Sequence, residues 1–457
     1  PFTSSALLIE PIDLLSLATF IQSHGHTVHV LDMDAERLQP NQIQSHVKER
    51  QYDAVVLVFD YHIPLATEDV WRNVLAIAEI VKKSGTRTIV GGKTATFYPN
   101  TFLFKDSPID LTIHFEMERT LLELLKIKEW NSTQWRSVHG ISFFDRDQVH
   151  TIENRVPAED LGSFPIPNRH LVSVPDDYID VRTLLSSRGC PHTCKFCHVP
   201  NFWGRWRQRE ANDVVDEISY LISDFGAKKI LFLDDNALVN PVRMEKISEA
   251  IINHGLKATL GCLGSCSVFQ MPVAKRMFEA GFRWIHFGAE TGDPNALLRI
   301  RKNISPDQIR SAVSKSHEIG FRIRTSWILD LPESTPEELD RTIQLILETQ
   351  SEEIRLHFLA LRPGSEFEKQ YHPMAAFNTV LPSQYIHHPT PQLSLSRIPN
   401  DLFQAKIKNL ISLLQERGYS FVQNADDLKD PEKLRHGSAP LKIVSLCPLR
   451  YGLDWHL

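Results

Sequence analysis

The chain has 457 residues, which is enough for two or three domains with sizeable hydrophobic cores. Its 42% hydrophobic and 23% charged residues and its net charge of −6 are ordinary for a globular protein and exclude a strongly basic nucleic-acid-binding surface. No apolar run approaches the about 18 residues of a membrane span. Six cysteines do not make a disulfide scaffold in a chain of this length, and they favour a reducing, cytoplasmic location.

Residues 1–135 alternate between helix and strand patterns. Short apolar strands separated by amphipathic helices predict a doubly wound parallel α/β sheet, in which ligands bind beyond the carboxyl ends of the strands. The predicted elements are helices over 12–24, 40–49 and 66–83, strands over 27–31, 54–59, 88–92 and 111–114, and a last helix from about 118.

The next segment, residues 136–180, contains a predicted hairpin (140–152) and a connector punctuated by prolines (161–168). Prolines disfavour both helix and central strand, so this connector is the expected domain boundary. Across residues 181–370 the strand–helix alternation resumes at a spacing of about 30 residues and predicts a partial (β/α)6 barrel.

Residues 371–457 form a C-terminal region that is expected to be small and mostly helical, with one clear helix over about 400–417. The tail is unusually aromatic and apolar for a chain end. Free termini tend to fray, so such a tail is expected to dock, and the region is expected to act as a lid and set substrate specificity.

Three cysteines, Cys190, Cys194 and Cys197, are spaced CxxxCxxC after the first predicted barrel strand. Thiolates suit iron–sulfur clusters, and three of them would leave one iron of a [4Fe–4S] cluster open to a small molecule. Zinc is the first alternative, but only His192 and His198 lie nearby as a fourth ligand. Buried thiols without a ligand are the second. The loop falls at the C-terminal rim of the predicted barrel, where active sites lie.

The cysteine spacing, with the aromatic Phe196 before the last cysteine, resembles the radical S-adenosylmethionine (SAM) superfamily. The wider phrase Ser187–Cys197, running into Trp203–Arg207, is similar to the branch that carries an N-terminal cobalamin-binding domain. The resemblance implies three cofactors, a [4Fe–4S] cluster, SAM and cobalamin, and an external electron donor of the flavodoxin or ferredoxin type. It also implies that residues 1–135 are a Rossmann-like cobalamin-binding domain whose first strand is missing before Pro1.

On the barrel rim, the resemblance places Asp234, Glu290 and Arg324 beside SAM, together with Phe196. A carboxylate such as Glu290 can accept hydrogen bonds from a ribose hydroxyl or from the SAM ammonium, and an arginine can pair with the SAM carboxylate. The alternatives are a structural ion pair for Glu290 and a helix cap for Asp234. A further rim segment differs from the family pattern, because Asp330 and Glu333 stand where relatives have glycine.

In the N-terminal domain, the resemblance implies cobalamin contacts from the residues that end the strands. Glycines there would let the backbone approach the nucleotide tail. The last contact loop reads His-Phe-Glu-Met-Glu, where many relatives read Gly-Glu-Gly-Glu. The expected contacts are Asp60, Tyr61, His62, Gly91, Gly92 and Glu116.

The resemblance as a whole implies a cobalamin-dependent radical SAM methyltransferase, with Cys190, Cys194 and Cys197 as the catalytic cluster ligands. It would transfer a methyl group from SAM, by way of cobalamin, to a carbon of a small-molecule, natural-product or peptide substrate. One alternative is a radical SAM enzyme that catalyses a rearrangement, a cyclisation or another SAM group transfer, with or without cobalamin. The other is a regulator without catalytic activity that binds cobalamin or a metal.

Overall fold

The structure is a computed structural model that describes residues 10–33, 35–36, 38, 40–58, 68–172, 181–371, 395–422 and 442–446. Three of the predicted cobalamin contacts, Asp60, Tyr61 and His62, lie outside these residues, as does most of the aromatic tail. None of the described helices is both long enough and apolar enough to cross a membrane.

The N-terminal part forms a five-stranded sheet in the order β1-β2-β3-β4-β5. Strands β1, β2 and β3 are parallel, whereas the β4–β5 hairpin adds two antiparallel strands at one edge. The helices are α1 (Ile12–Ser23), α2 (Pro40–Arg50), α3 (Glu68–Lys83), α4 (Lys93–Phe97), α5 (Glu118–Leu124) and α6 (Ser132–Trp135), and the strands are β1 (Ala54–Val58), β2 (Arg87–Gly91), β3 (Leu111–Ile113), β4 (Ile141–Asp145) and β5 (Gln148–Thr151).

The parallel sheet and the hairpin are confirmed, but two details differ from the sequence predictions. Residues 27–31 form no strand, because they make no ladder with any described neighbour. The hairpin is not part of the linker, since Ile141 and Phe143 of β4 pair with β3 and are fully buried. The N-terminal sheet therefore extends past residue 135 as far as Thr151.

The second sheet is the partial barrel, and its first six strands are parallel neighbours in the order β13-β12-β11-β10-β9-β6. The strands are β6 (Arg182–Leu184), β9 (Lys229–Phe232), β10 (Thr259–Gly264), β11 (Phe282–Glu290), β12 (Arg322–Ile328) and β13 (Glu353–His357), with a short pair β7 (Ser187–Arg188) and β8 (Arg207–Gln208) beside them. The helices are α7 (Val199–Trp203), α8 (Ala211–Phe225), α9 (Pro241–Asn253), α10 (Met271–Glu279), α11 (Pro294–Arg299), α12 (Pro306–Ile319), α13 (Pro336–Thr349) and α14 (Glu366–Tyr371).

Local sequence explains where the barrel helices begin and end. In α12, Ser305 and Gln308 form a capping box at the N-terminus, and Gly320 closes the helix in a left-handed conformation. Helix α8 buries Val214, Ile218 and Leu221, which share one face at helical spacing. These faces pack on the outer side of the sheet in the largest hydrophobic cluster of the described chain.

The C-terminal region differs from the expectation of a mostly helical unit. The predicted helix is confirmed as α15 (Asn400–Glu416), but two strands follow, β14 (Tyr419–Val422) and β15 (Lys442–Leu446). Strand β15 pairs with β13 and β14 pairs with β15, all in parallel. Without them β13 would present an open edge, and unpaired backbone groups at an edge are a liability that folded chains cover.

The two sheets meet through one mixed hydrophobic cluster. Phe202 and Trp203 of α7 are buried together with Ile113 and Met117 of the N-terminal part, and Cys190 packs against the same cluster. Charged contacts surround this core, since Arg188 donates to Glu118 over 2.5 Å. The cysteine loop therefore lies at the contact between the two sheets.

Candidate functional site

The three cysteines lie on the loop between β7 and α7, at the rim that was predicted from strand periodicity. Gly189 opens the loop with φ +84, and a Cβ there would lie 3.1 Å from the carbonyl oxygen of Arg205. The Cys197 amide donates to the Cys194 carbonyl over 3.0 Å, which makes a tight turn between the last two thiols. The sharp entry at Gly189 and this turn fold the loop back on itself.

The cysteine loop is held from two distant parts of the barrel. The amide of Lys195 donates to the Ile300 carbonyl over 3.0 Å, and the Lys195 carbonyl accepts from the Phe367 amide over 2.9 Å. The Asn201 side chain donates to the Gly364 carbonyl over 2.6 Å. These two main-chain hydrogen bonds and one side-chain hydrogen bond fix the position of the loop without using the thiols themselves.

The chemistry of the three thiols fits a group that supplies positive charge. Burial raises the pKa of Cys190 to about 11 and that of Cys197 to about 12, and neighbouring thiols and Asp235 add to the rise. Burial likewise raises the pKa of Cys194. Since only thiolates ligate iron, the thiols need the iron ions of a cluster to lose their protons at neutral pH. All three cysteines are free of disulfides.

Glu290 lies at the end of β11, beside the cysteine loop. It has φ 66, and the β11–β12 register shifts between Gly288 and Glu290. Its Oε1 accepts a hydrogen bond from Lys302 Nζ over 2.7 Å, and both side chains are almost wholly buried. Among the described residues only Oε1 has a protein donor, which leaves Oε2 available to a ligand. Glu290 thus takes part in the ion pair that was the alternative interpretation, and its contact with SAM stays a prediction.

Asp234 is fully buried, and described protein groups bind both of its oxygens. The Ser186 amide and hydroxyl donate to it over 3.2 and 2.8 Å, and the Ser187 hydroxyl makes a third, shorter bond. Because these serines lead directly into Arg188, Gly189 and Cys190, Asp234 holds the strand that presents the first thiol. A direct contact of Asp234 with SAM stays a prediction.

Arg324 lies lower in the barrel than expected. It pairs in register with His286, whereas Glu290 pairs with Trp327, three residues further along β12, so Arg324 lies about 10 Å below the rim. Its Nε donates to Glu353 over 2.6 Å, and its guanidinium lies over the Trp284 ring at 4.6 Å. Strand alternation predicts which face a residue occupies but not its height along the strand. Pairing of Arg324 with the SAM carboxylate stays a prediction.

A polar group inside the barrel was not predicted. His286 Nε2 lies 2.6 Å from Ser326 Oγ, and His357 Nε2 lies 3.3 Å from the same hydroxyl. Burial and the nearby charge of Arg324 hold the pKa of His286 well below its ordinary value, so its imidazole is neutral. The three residues occupy neighbouring strands, and the period-two alternation of β11, β12 and β13 was the signal that could have identified them.

In the N-terminal part, Gly91 ends strand β2 and Gly92 follows it as the cap of α4, one residue short of the predicted strand end. Gly92 has φ 127, a conformation that favours glycine. Gly91 is already covered, since a Cβ there would collide with the thioether of Met117. Met117 stands in the loop where relatives often have glycine. Of the two glycines, Gly92 has the positive φ that favours glycine, whereas Gly91 is packed against Met117.

Glu116 faces the cysteine loop. Its carboxylate lies 2.5 Å from Arg207 and 3.7 Å from Arg188, and it accepts a hydrogen bond from the Ala158 amide over 3.1 Å. Burial opposes ionisation, but Arg188 and Arg207 outweigh it and lower the pKa of Glu116. Glu116 thus joins the two sheets electrostatically, and its contact with cobalamin stays a prediction.

Two family models match the chain. The model of the B12 binding domain matches residues 2–125, and the model of the Radical SAM superfamily matches residues 184–346. The first match covers the strand ends around Gly91 and Glu116. The second covers the cysteine loop, Asp234 and Glu290.

The chain is also similar to curated proteins. An uncharacterised methyltransferase of Pyrococcus horikoshii is 29% identical over 340 residues, which cover 73% of this chain and 72% of that protein. The anaerobic magnesium-protoporphyrin IX monomethyl ester cyclase of Synechocystis sp. is 24% identical over 354 residues, covering 74% and 68%. The hopanoid C-2 methylase of Rhodopseudomonas palustris is 27% identical over 236 residues, covering 49% and 43%.

Solved structures share the fold. The radical SAM methyltransferase TsrM from Kitasatospora setae, with tryptophan and a SAM analogue bound, has a TM-score of 0.72 at 18% identity, covering 83% of this chain and 80% of that one. The cobalamin-dependent radical SAM enzyme OxsB, with aqua-cobalamin and SAM bound, has a TM-score of 0.66 at 18% identity, covering 90% and 59%. At this identity the likeness concerns the fold.

Proposed function

We propose that the protein is a C-methyltransferase. The chain belongs to the radical SAM superfamily and carries a B12-binding domain. Its cofactors are a [4Fe–4S] cluster, SAM and cobalamin. It would pass a methyl group from SAM, by way of cobalamin, to a carbon of a small-molecule, natural-product or peptide substrate. The cofactors supply the methyl carrier and the radical, and the chain supplies their placement.

The observation that supports this proposal most is the contact between the two sheets. Phe202 and Trp203, five and six residues after Cys197, are each 1% exposed and pack against Met117 of the B12-binding domain. Arg188, two residues before Cys190, pairs with Glu118 of that domain. The loop that would hold the cluster is thus fastened to the edge that would hold cobalamin. Such a contact keeps two reacting cofactors at a fixed separation and excludes water between them.

The chain's own residues would divide the work at the barrel rim. Cys190, Cys194 and Cys197 would ligate three irons, and the fourth iron would bind SAM. Glu290 would accept hydrogen bonds from SAM through Oε2, while Asp234 keeps the strand before Cys190 in place. For cobalamin, the glycine conformation at Gly92, with no Cβ at the end of β2, is the described feature that would let the backbone approach the cofactor.

A second candidate is radical SAM chemistry without methyl transfer. The relative in Synechocystis is named as a cyclase and covers nearly the same share of this chain as the methyltransferase of Pyrococcus horikoshii. Both candidates need the same cluster and SAM site, so they differ in the fate of the SAM methyl group.

The proposal also includes the cellular compartment and the electron donor. All five cysteines among the described residues are free, which suits a reducing cytoplasm and an external electron donor of the flavodoxin or ferredoxin type. We also propose the division expected from the sequence, namely 1–135, 136–180, 181–370 and 371–457, except that the end of the first domain moves from 135 to Thr151 because the hairpin pairs with β3. The last of these, 371–457, would contribute to substrate binding.

The test uses protein purified without oxygen after iron and cobalamin supplementation. We expect about four irons and one cobalamin per chain, and transfer of label from methyl-labelled SAM to the bound cobalamin after reduction. The triple variant of Cys190, Cys194 and Cys197 to alanine should lose iron but keep cobalamin. Cys262→Ala, at a buried thiol outside the loop, should keep both.

Two outcomes would contradict the proposal. Cleavage of SAM to 5′-deoxyadenosine without any label on cobalamin would favour the second candidate. Cobalamin bound without any cluster would exclude the radical chemistry altogether.

A further inference from the structure

The ion pair between Glu290 and Lys302 is built on unusual backbone geometry. Glu290 has φ 66, and the two neighbours of Lys302, Arg301 and Asn303, have φ 54 and φ 51. Residues with a side chain rarely adopt this left-handed region, and its free-energy cost has to be offset by the surrounding structure. Three such residues at one ion pair indicate that the chain is bent to bring this ammonium and this carboxylate together.

The sequence around Lys302 holds three basic residues, and only one of them turns inward. Arg299 donates to Glu338 of α13 over 2.7 Å, and Arg301 pairs with Glu366 over 2.6 Å. Lys302 instead has a side chain that is 13% exposed and points at the end of β11. The left-handed conformations of Arg301 and Asn303, on either side of Lys302, turn the Lys302 side chain inward while that of Arg301 stays outside.

Space for the inward ammonium comes from a glycine. A Cβ on Gly288 would lie 2.9 Å from Lys302 Nζ and closer still to the Glu290 carboxylate. Any side chain at this position would therefore displace the pair. Gly288, Glu290 and Lys302 form a unit in which the glycine provides room, the glutamate provides the acceptor and the lysine provides the charge.

The ammonium of Lys302 also lies close to the cysteine loop. Its Nζ is 6.0 Å from the ring centre of Phe196, between Cys194 and Cys197. Phe196 lies in the tight turn in which the Cys197 amide bonds to the Cys194 carbonyl, so the positive charge lies beside the part of the loop that carries two of the thiols. Burial disfavours the charged form of Lys302, but the Glu290 carboxylate at 2.7 Å favours it, so the pair is an ion pair.

We propose that Lys302 is a positioning residue of the SAM and cluster site: it holds Glu290 so that Oε2 faces bound SAM, and its charge raises the reduction potential of the cluster. The inference rests on the proposed function, since it takes Glu290 as a SAM contact. A fixed positive charge beside thiolate ligands favours the reduced cluster, because reduction adds one negative charge there.

Three variants separate the two roles, each in anaerobically reconstituted protein with its iron, cobalamin and melting temperature measured. Lys302→Met removes the charge and the hydrogen bond. Lys302→Arg keeps the charge, and Gly288→Ala keeps the lysine but displaces the pair. SAM affinity is measured by equilibrium dialysis, and the cluster midpoint potential by titration followed with electron paramagnetic resonance. Lys406→Met, which removes a paired lysine on α15, is the matched control.

For Lys302→Met we expect SAM affinity to fall by about tenfold or more and the midpoint potential to become more negative. Lys302→Arg should restore the potential, and Gly288→Ala should lose affinity while the potential stays near the wild-type value. Lys406→Met should change neither quantity.

Wild-type SAM affinity and potential in Lys302→Met would overturn the inference. If that variant loses its iron, Gly288→Ala decides, because wild-type SAM affinity in it would equally overturn the positioning role. Both readouts need only the cluster and SAM. Absence of label on cobalamin in the wild type would therefore overturn the proposed function and leave this inference intact.

Discussion

Asp330 offers a substitution that should stabilise the protein. It follows β12 at the barrel rim, where relatives have glycine, and its Oδ1 accepts a hydrogen bond from the Leu359 amide over 2.6 Å. Burial raises the pKa of its carboxyl group from the ordinary 3.8 to about 6, although the Leu359 amide works against the rise. Asp330→Asn keeps the size and the acceptor oxygen but cannot ionise.

The sign of the effect follows from the direction of the shift. The folded state holds the Asp330 proton more tightly than the unfolded state, so its contribution to stability is fully present below pH 3.8 and is lost as the pH rises through about 6. A difference of about two pKa units corresponds to about 3 kcal/mol above pH 7. If the barrel region unfolds as one unit, this free energy corresponds to a melting temperature that is about 6–12 °C higher in Asp330→Asn than in the wild type.

The assay is thermal unfolding of wild type and Asp330→Asn between pH 5 and pH 8. The gain should be about half its full value at pH 5 and complete above pH 7. Asp307→Asn is the matched control, because Asp307 is 92% exposed and should change stability by less than about 0.5 kcal/mol. A gain that does not vary with pH, or no gain at pH 8, would refute the reasoning.

Three further substitutions should destabilise the protein, and thermal unfolding is measured for each, together with iron content for Asp234→Asn and the cobalamin off-rate for Gly364→Ala. Asp234→Asn leaves the Ser186 amide without its carboxylate oxygen, so we expect a loss of about 2–4 kcal/mol and less iron; full iron at an unchanged melting temperature would contradict this. Glu217→Gln removes the negative charge that pairs with the buried guanidiniums of Arg169 and Arg209, with a loss of about 3–5 kcal/mol. Burial opposes the ionisation of Glu217, but those guanidiniums lower its pKa, so wild-type stability should fall as the pH drops below 4.5 while the variant changes less; equal pH dependence would argue against it. Gly364→Ala puts a Cβ into the Phe97 ring at φ +78, so the contact between the sheets should loosen and cobalamin should dissociate faster; an unchanged off-rate would show that this contact does not matter.

The sequence predicted those parts of the site that depend on spacing and on the order of elements. The cysteine loop could be placed at the barrel rim because a strand pattern precedes it and a helix pattern follows it. Glu290 could be placed beside it because it ends the β11 pattern. Both inferences need only the rule that the carboxyl ends of parallel strands share one edge.

Features that depend on height, backbone conformation or pairing could not be predicted. Arg324 was expected on the barrel rim beside SAM, and only the β11–β12 register shows that it lies lower, level with His286. Lys302 is one of three nearby basic residues. Its neighbours Arg301 and Asn303 have left-handed conformations, which their residue types do not predict, and these accompany its inward direction. Strands β14 and β15 are short and separated by a long segment, so their pairing with β13 left no periodic signal.

The hydrogen bonds that hold the cysteine loop also bear on how the protein matures. Lys195 bonds with Ile300 and Phe367, which follow it by 105 and 172 residues and lie beyond β11 and β13. During synthesis the loop therefore emerges long before the segments that shape it. Contacts this distant along the chain form late in folding. Iron insertion is thus expected after the last barrel strand has joined the sheet, so that a chain truncated before Phe367 would leave the ribosome without a competent cluster loop.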